Sequence, residues 1–216
     1  MIASFTHNFI FLRTRKTAGT SVETVLGAWC SGRDIVTPFA NPEEELERER
    51  IGGRSMNSRR GWFRRPFRSH QTAEEARRLL PSLWQKAYKF AVERHPYERV
   101  VSLTYWRIHR LGLDPDKDFP AELEKTIAGV PGLNNRRYYC IDDRIVVDEV
   151  VRFDSLWPRL AEFATSLGQR LPDPLPRAKG SHRRDRRQAA EILTQSQKER
   201  IYALRRLDFE QIGFER

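Results

Sequence analysis

The chain has 216 residues, with 39 Lys and Arg against 29 Asp and Glu, a formal net charge of +10. That length suits one well-buried domain rather than two, and the charge favours acidic ligands, nucleic acid or another polyanion without deciding the fold. Two widely separated cysteines, Cys30 and Cys140, exclude a disulfide framework and a cysteine-rich metal site, and no run nears the roughly 18 apolar residues of a membrane helix.

The opening residues lack the basic, apolar and small-residue succession of a signal peptide, because the apolar run from Phe9 is short and broken by Arg13. A reducing, cytoplasmic setting is the expectation. Phe9 to Leu12 reads as a buried strand, and Val22, Val25 and Leu26 fall at helical spacing beyond it, in a helix ending near Gly27 to Trp29. Between them Lys16, Thr17, Ala18, Gly19, Thr20 and Ser21 turn the strand into the helix. Free helix-start N–H groups, hydroxyls and an ammonium gathered at one point attract phosphate or sulfate. The order is not that of a nucleoside-triphosphatase loop, GxxxxGK[ST], because here the lysine comes before the glycine.

Residues 31–69 lose periodicity and read as a variable region. A short helix over Glu43 to Glu49 takes Asn41 as its cap and Pro42 in its first turn. Arg54, Arg59, Arg60, Arg64, Arg65 and Arg68 then mix with Trp62, Phe63 and Phe67, a composition able to clamp an acidic acceptor by paired bonds and stacking. Thr72 and Glu75 form a capping box that opens a helix over residues 72–80, stopped by Pro81. His70 precedes that cap and is placed to accept a proton near neutral pH, with Glu74 and Glu75 as alternatives.

The run KAYKFAVERHPYERVVSLTYW repeats the strand-to-helix grammar. Tyr88 to Val92 is the strand, Pro96 opens the helix, and Arg94 falls at the strand's carboxyl end, where ligands gather in open α/β sheets. Ser102 lies eight residues on, about two helical turns into that helix. Arg136 to Ile141 and Ile145 to Val147 suggest a hairpin turning at Asp142-Asp143. Leu156, Leu160, Phe163 and Leu167 repeat at helical spacing as far as Gly168. A proline-rich connector, LPDPLP, leads into the basic stretch RAKGSHRRDRR, and a last helix opens at the Thr194/Gln197 capping box and ends before Gly213.

The two phosphate-type motifs together, KTAGTS after a strand and RHPYERVVS after another, resemble the paired signature of sulfotransferases that use 3′-phosphoadenosine 5′-phosphosulfate (PAPS). The second matches an R-x-P-x-x-R-x-x-S pattern, and the chain is similar to bacterial relatives of the polysaccharide-type enzymes, the group that includes the heparan-sulfate 2-O-sulfotransferases. One departure is Arg15, where many members carry proline. The resemblance implies an α/β fold: a single-domain, P-loop-like three-layer sandwich over residues 1–216, with a central, mostly parallel sheet flanked by helices.

It also implies roles. Arg15, Lys16, Thr17, Ala18, Gly19, Thr20 and Ser21 would bind the 5′-phosphosulfate, Arg94 and Ser102 the 3′-phosphate, and Lys179, Gly180 and Ser181, with Arg183 less firmly, would form a basic loop over the nucleotide. Lys16 would meet the leaving oxygen and His70 would act as base. Arg59, Arg60, Arg64 and Arg65 would line the approach of a hydroxyl-bearing acceptor, a sugar, glycolipid or polysaccharide, with acidic character favoured by those arginines. The products would be a sulfate ester and 3′,5′-adenosine bisphosphate, with no metal required and no nucleic-acid partner. His7, His95, His109 and His182 read as capping, packing or surface residues.

Two rival readings follow from the same residues. A kinase or nucleoside triphosphatase would require an acidic magnesium site, for which Asp148 and Glu149 are weak candidates. A non-catalytic binder of nucleic acid or another polyanion would explain the charge but not the two ordered motifs.

Overall fold

Ile2–Ser4 (β1) and Phe9–Leu12 (β2) form an antiparallel pair in which every residue is buried. In the computed structural model, which describes residues 1–57, 67–129, 134–174, 176, 183, 185 and 187–216, this pair is followed by Gly19–Ala28 (α1), Ile35–Val36 (β3), Pro42–Arg50 (α2), Ala73–Leu79 (α3), Pro81–Lys86 (α4) and Tyr88–Glu93 (β4). Pro96–Leu111 (α5) and Pro115–Gly129 (α6) come next, then three strands, Cys140–Ile141 (β5), Arg144–Ile145 (β6) and Glu149–Arg152 (β7). Leu156–Ser166 (α7), Ala189–Ile192 (α8) and Gln195–Ile212 (α9) complete the order.

The main sheet has the order β3-β1-β2-β4-β7, with β1 antiparallel to both neighbours and β2, β4 and β7 parallel. All of its strands except β1 therefore run the same way. This is an α/β fold with a mostly parallel central sheet flanked by helices, compatible with a three-layer sandwich. Contacts between residues group the chain into two units: Met1–Glu93 with Arg136–Ala178, and Arg94–Asn135 with Lys179–Arg216.

The sheet lies in the first unit. Its register puts Phe9, Phe11, Phe90, Val92 and Val151 on one face, because Phe11 pairs with Phe90 and Val92 with Val151. That face packs against Val22, Val25 and Leu26 of α1 and Leu156, Leu160 and Ala164 of α7. Ile10, Leu12 and Ala91 point the other way and are also buried. Burial on both faces explains why β2 and the centre of β4 read as unbroken apolar runs rather than as alternation.

Local chemistry sets the ends of the elements. Asn41 accepts from Glu43 N at 3.0 Å, and the capping boxes at Thr72/Glu75 and Thr194/Gln197 are both formed. Gly213 closes α9 with φ 78°, a left-handed cap that suits glycine. Two expectations need adjustment. Pro81 does end α3, but it also starts α4, since proline's missing N–H costs nothing at a first helical turn. Arg136–Tyr138 is a 3-10 turn, so the hairpin is only Cys140–Ile141 against Arg144–Ile145, turning at Asp142 and Asp143 with φ 49° and 58°. Among the described residues no helix is long and apolar enough to cross a membrane.

The second unit is helical. Val100, Val101 and Leu103 of α5, Ile127 of α6, and Ile201 and Phe209 of α9 share its core. Arg99 donates to Asp208 at 2.9 Å, with both side chains almost fully buried, and so ties α5 to α9. Removing one charge of such a pair strands the other in a low-dielectric site. Asp208→Asn should therefore lower the unfolding free energy by about 3–5 kcal/mol, read as a fall in the urea midpoint. The doubly apolar Arg99→Met/Asp208→Leu variant should recover most of it.

Candidate anion-binding site

The loop from β2 to α1 is shaped by its backbone. Lys16 has φ 62° and Ala18 φ 60°, while Thr17 and Gly19 are not in the positive region. Alternation of this kind turns successive N–H groups toward one side and makes an anion-binding concavity. Left-handed geometry costs a residue with a Cβ roughly 1–3 kcal/mol, so the surroundings must hold it. They do so through hydroxyls: Thr14 Oγ1 and Thr17 Oγ1 lie 2.6 Å apart, and the Thr14 hydroxyl also donates to the Val92 carbonyl of β4. Ala18 is the helix N-cap and supplies no side-chain bond, so α1 starts without a side-chain cap over its first amides.

Arg13, the residue after the strand, anchors the loop from below. Its guanidinium donates to Glu23 Oε2 at 2.8 Å, Ser69 Oγ at 2.8 Å and Thr20 Oγ1 at 2.7 Å. Its methylenes lie against Gly19, where a Cβ would come within 2.7 Å of Arg13 Cγ. The glycine is there for close approach, not for a left-handed turn. Glu23 is fully buried, and burial alone would raise its carboxyl. The Met1 ammonium, Arg13 and Arg48 outweigh burial and hold it below its ordinary value. Thr17, Thr20 and Ser21 are buried, whereas Arg15, Lys16 and Ala18 are half-buried.

His70 joins this cluster through the same arginine. Its Nδ1 lies 3.1 Å from the Arg13 carbonyl, which can only accept, so Nδ1 carries the hydrogen and Nε2 keeps the lone pair. Its ring packs 5.7 Å from that of Tyr138, and the Tyr138 hydroxyl accepts from Arg15 Nε at 3.0 Å and Arg137 Nη2 at 2.9 Å. Burial first, then the charge of Arg13, push the imidazole down to about 4. It is a neutral ring at neutral pH, with the lone pair on Nε2, and not the group titrating near neutrality that its place in the sequence suggests.

Compared with models of known protein families, with curated proteins and with solved structures, the chain matches none.

A second cluster lies in the helical unit. Arg94 Nη2 donates to Glu98 Oε2 at 2.9 Å, Arg183 Nη1 donates to the same oxygen at 2.6 Å, and Ala189 N donates to Oε1 at 2.6 Å. Burial would raise the Glu98 carboxyl, but the Ala189 N–H, Arg183 and Arg94 hold it down, and burial lowers the Arg94 guanidinium. Ser102, four residues beyond Glu98, shares its helix face. Arg99 of the same motif points into the core, on Asp208. His95 is structural: Nδ1 accepts from Tyr97 N at 3.3 Å, Nε2 donates to the Glu215 carbonyl at 2.9 Å, and the ring packs on Phe209 and Phe214.

The residues singled out from the sequence thus divide. Arg15 to Ser21 and His70 are brought together in the first unit, and in the second Arg94 meets Arg183 across Glu98, with Ser102 one turn further along α5. Arg59, Arg60, Arg64 and Arg65, together with Lys179, Gly180 and Ser181, lie outside the described residues. Sequence reasoning missed Arg13, Glu23, Tyr138 and Glu98. The one available signal was position, since Arg13 directly follows the strand and Glu98 stands inside RHPYERVVS.

The lowered His70 fixes a pH dependence. Between its ordinary value near 6.5 and about 4 the unfolded chain binds the proton and the folded chain does not. Stability from the neutral ring is complete above that window and lost as pH falls through it. In NMR titration the His70 ring should change its shift near pH 4. The fall in urea midpoint between pH 7 and pH 5 should be smaller in His70→Gln than in the parent.

Proposed function

We propose that the chain is a sulfotransferase that moves a sulfuryl group from PAPS to a hydroxyl. The observation that carries the reading is the pairing, in one unit, of an anion cradle with a neutral imidazole of fixed tautomer: Arg13 holds Thr20 by its side chain and His70 by its carbonyl. A bare phosphate-binding loop has no use for the second half of that arrangement.

The chemistry follows from the groups present. The acceptor hydroxyl approaches sulfur in line with the phosphate oxygen; the new O–S bond forms as the old one to phosphate breaks, and the hydroxyl proton passes to His70 Nε2. Little new charge develops on the sulfuryl oxygens. The leaving phosphate oxygen gains most of it, so Lys16 and the N–H groups at the start of α1 are the stabilising donors. The backbone N–H groups of Thr17, Thr20 and Ser21 hold the 5′-phosphate, since the Thr17 and Thr20 hydroxyls are engaged with Thr14 and Arg13, and the resemblance assigns the 3′-phosphate to Arg94 with Ser102. Glu98 meets Arg94 in this structure, so the 3′-phosphate shares that guanidinium with a carboxylate or displaces it. The acceptor is assigned to sugar-type hydroxyls on the resemblance alone.

The kinase reading draws less support. Asp148 and Glu149 stand at the start of β7, while the loop follows the end of the parallel strand β2, so these acids lie at the opposite end of the sheet from the phosphate cradle. Asp148 is also engaged with Lys89, and Glu149 with Tyr88 and Arg159.

The test is transfer of labelled sulfate from PAPS to a panel of sugar hydroxyls. His70→Ala should lower kcat by about 10²-fold, the low end for a general base because a ring lowered to about 4 is a weak one, with PAPS affinity kept. Lys16→Ala should lower kcat and weaken PAPS binding together. The acid limb of the rate profile should fall near pH 4 rather than near 6.5. Label transfer unaffected by either substitution would overturn the assignment of roles.

A further inference from the structure

At the end of the sheet away from the phosphate loop, the first unit contains a cavity of about 410 Å³. It opens where β2, β4 and β7 begin, bounded by the His7-Asn8 turn on one side and by α7 on the other. The strand β2 alone spans about 13 Å at roughly 3.3 Å per residue, so this cavity and the loop after Leu12 are separate sites. Nothing in the sulfotransfer chemistry uses it.

Its walls are aromatic. The Tyr88 and Phe90 rings lie nearly parallel, 5.6 Å apart at 24°, and Phe163 of α7 stands 5.5 Å from Tyr88 and 5.3 Å from Phe90, edge-on to the latter. Val151, Leu160 and Leu167 complete its apolar lining. Tyr88, Phe163 and Leu167 are only half-buried, and all three line the cavity.

The polar groups at the rim are engaged with one another. Arg159 donates from Nε to Glu149 Oε1 at 2.8 Å and from Nη2 to Glu149 Oε2 at 2.9 Å, and also pairs with Glu162. Tyr88 donates its hydroxyl to Glu149, Ser166 donates to the Phe163 carbonyl, and His7 Nε2 meets the Trp29 carbonyl. A charged guest would have to break one of these pairs or enter without a counter-charge, and both cost free energy in an apolar site. An uncharged guest can lie on the rings and methyls and leave these pairs intact.

We infer that this cavity is a binding site for an uncharged aromatic molecule of one or two fused rings. Size agrees with that class: an apolar cavity of about 150 Å³ takes a benzene ring, and small-molecule pockets begin near 300 Å³. Ring faces and edges set at these spacings accept a further ring in stacked or edge-on contact. The inference is independent of the sulfotransferase reading and survives its failure.

N-phenyl-1-naphthylamine, an uncharged dye that brightens in apolar surroundings, tests it on the full chain. A saturable, one-site rise in fluorescence is expected, reversed by naphthalene. Naphthalene-1-carboxylate and 1-naphthylmethylammonium should compete at least tenfold less well. Leu167→Trp, which fills the cavity, should weaken dye binding at least tenfold; Ser166→Trp, at the exposed rim, should do the same should the first variant fail to fold. Lys16→Ala should leave dye binding unchanged. A non-saturable rise, equal competition by either charged analogue, or dye binding untouched in a folded tryptophan variant would overturn the assignment.

Discussion

Arg13 is the residue on which the candidate site depends. Its guanidinium crosses from the end of β2 to Glu23 and Thr20 on α1 and to Ser69 ahead of α3, while its own carbonyl fixes the His70 tautomer. A buried arginine needs a buried anion, and Glu23 supplies it from within the same helix that the loop opens. The pair therefore does two things with one charge balance: it sets the depth at which α1 starts, and it places a neutral imidazole beside that start. Gly19 follows from the same constraint, because any Cβ there would collide with the arginine stem.

The two clusters treat charge differently. In the first unit the loop cations Arg15 and Lys16 are half-buried, while Arg13 is spent on structure. In the second unit Glu98 gathers Arg94, Arg183 and the Ala189 N–H on one carboxylate. A carboxylate flanked by two guanidiniums and a helix-start amide occupies the place that a phosphate monoester would favour, and for the same reason. That is a physical basis for reading RHPYERVVS as a phosphate motif even with its acid in contact.

Much of this was legible from residue order, and the parts that were not share a cause. The strand, loop and helix around KTAGTS, the capping boxes at Thr72 and Thr194, and the Asn41 cap all rest on neighbours within four residues, where the chain's own geometry decides. β1 and β3 are three and two residues long, too short for a period, and exist only because they pair. α6 carries Pro120 inside it, where a helix reading would stop. The left-handed positions fell on Lys16 and Ala18 rather than on the glycine, since what decided them was the packing of Arg13 and the Thr14–Thr17 hydroxyl pair. Arg13 with Ser69, Tyr138 with Arg15 and Glu98 with Arg183 are 56, 123 and 85 residues apart, and such pairings have no local signature.

The central proposal is that the chain binds the PAPS nucleotide, and calorimetric titration with 3′,5′-adenosine bisphosphate tests it most directly. The account requires one-site binding stronger than that of ATP with magnesium, weakened by Lys16→Ala and, separately, by Arg94→Ala. No binding, or binding that prefers magnesium ATP and ignores Arg94, would contradict it.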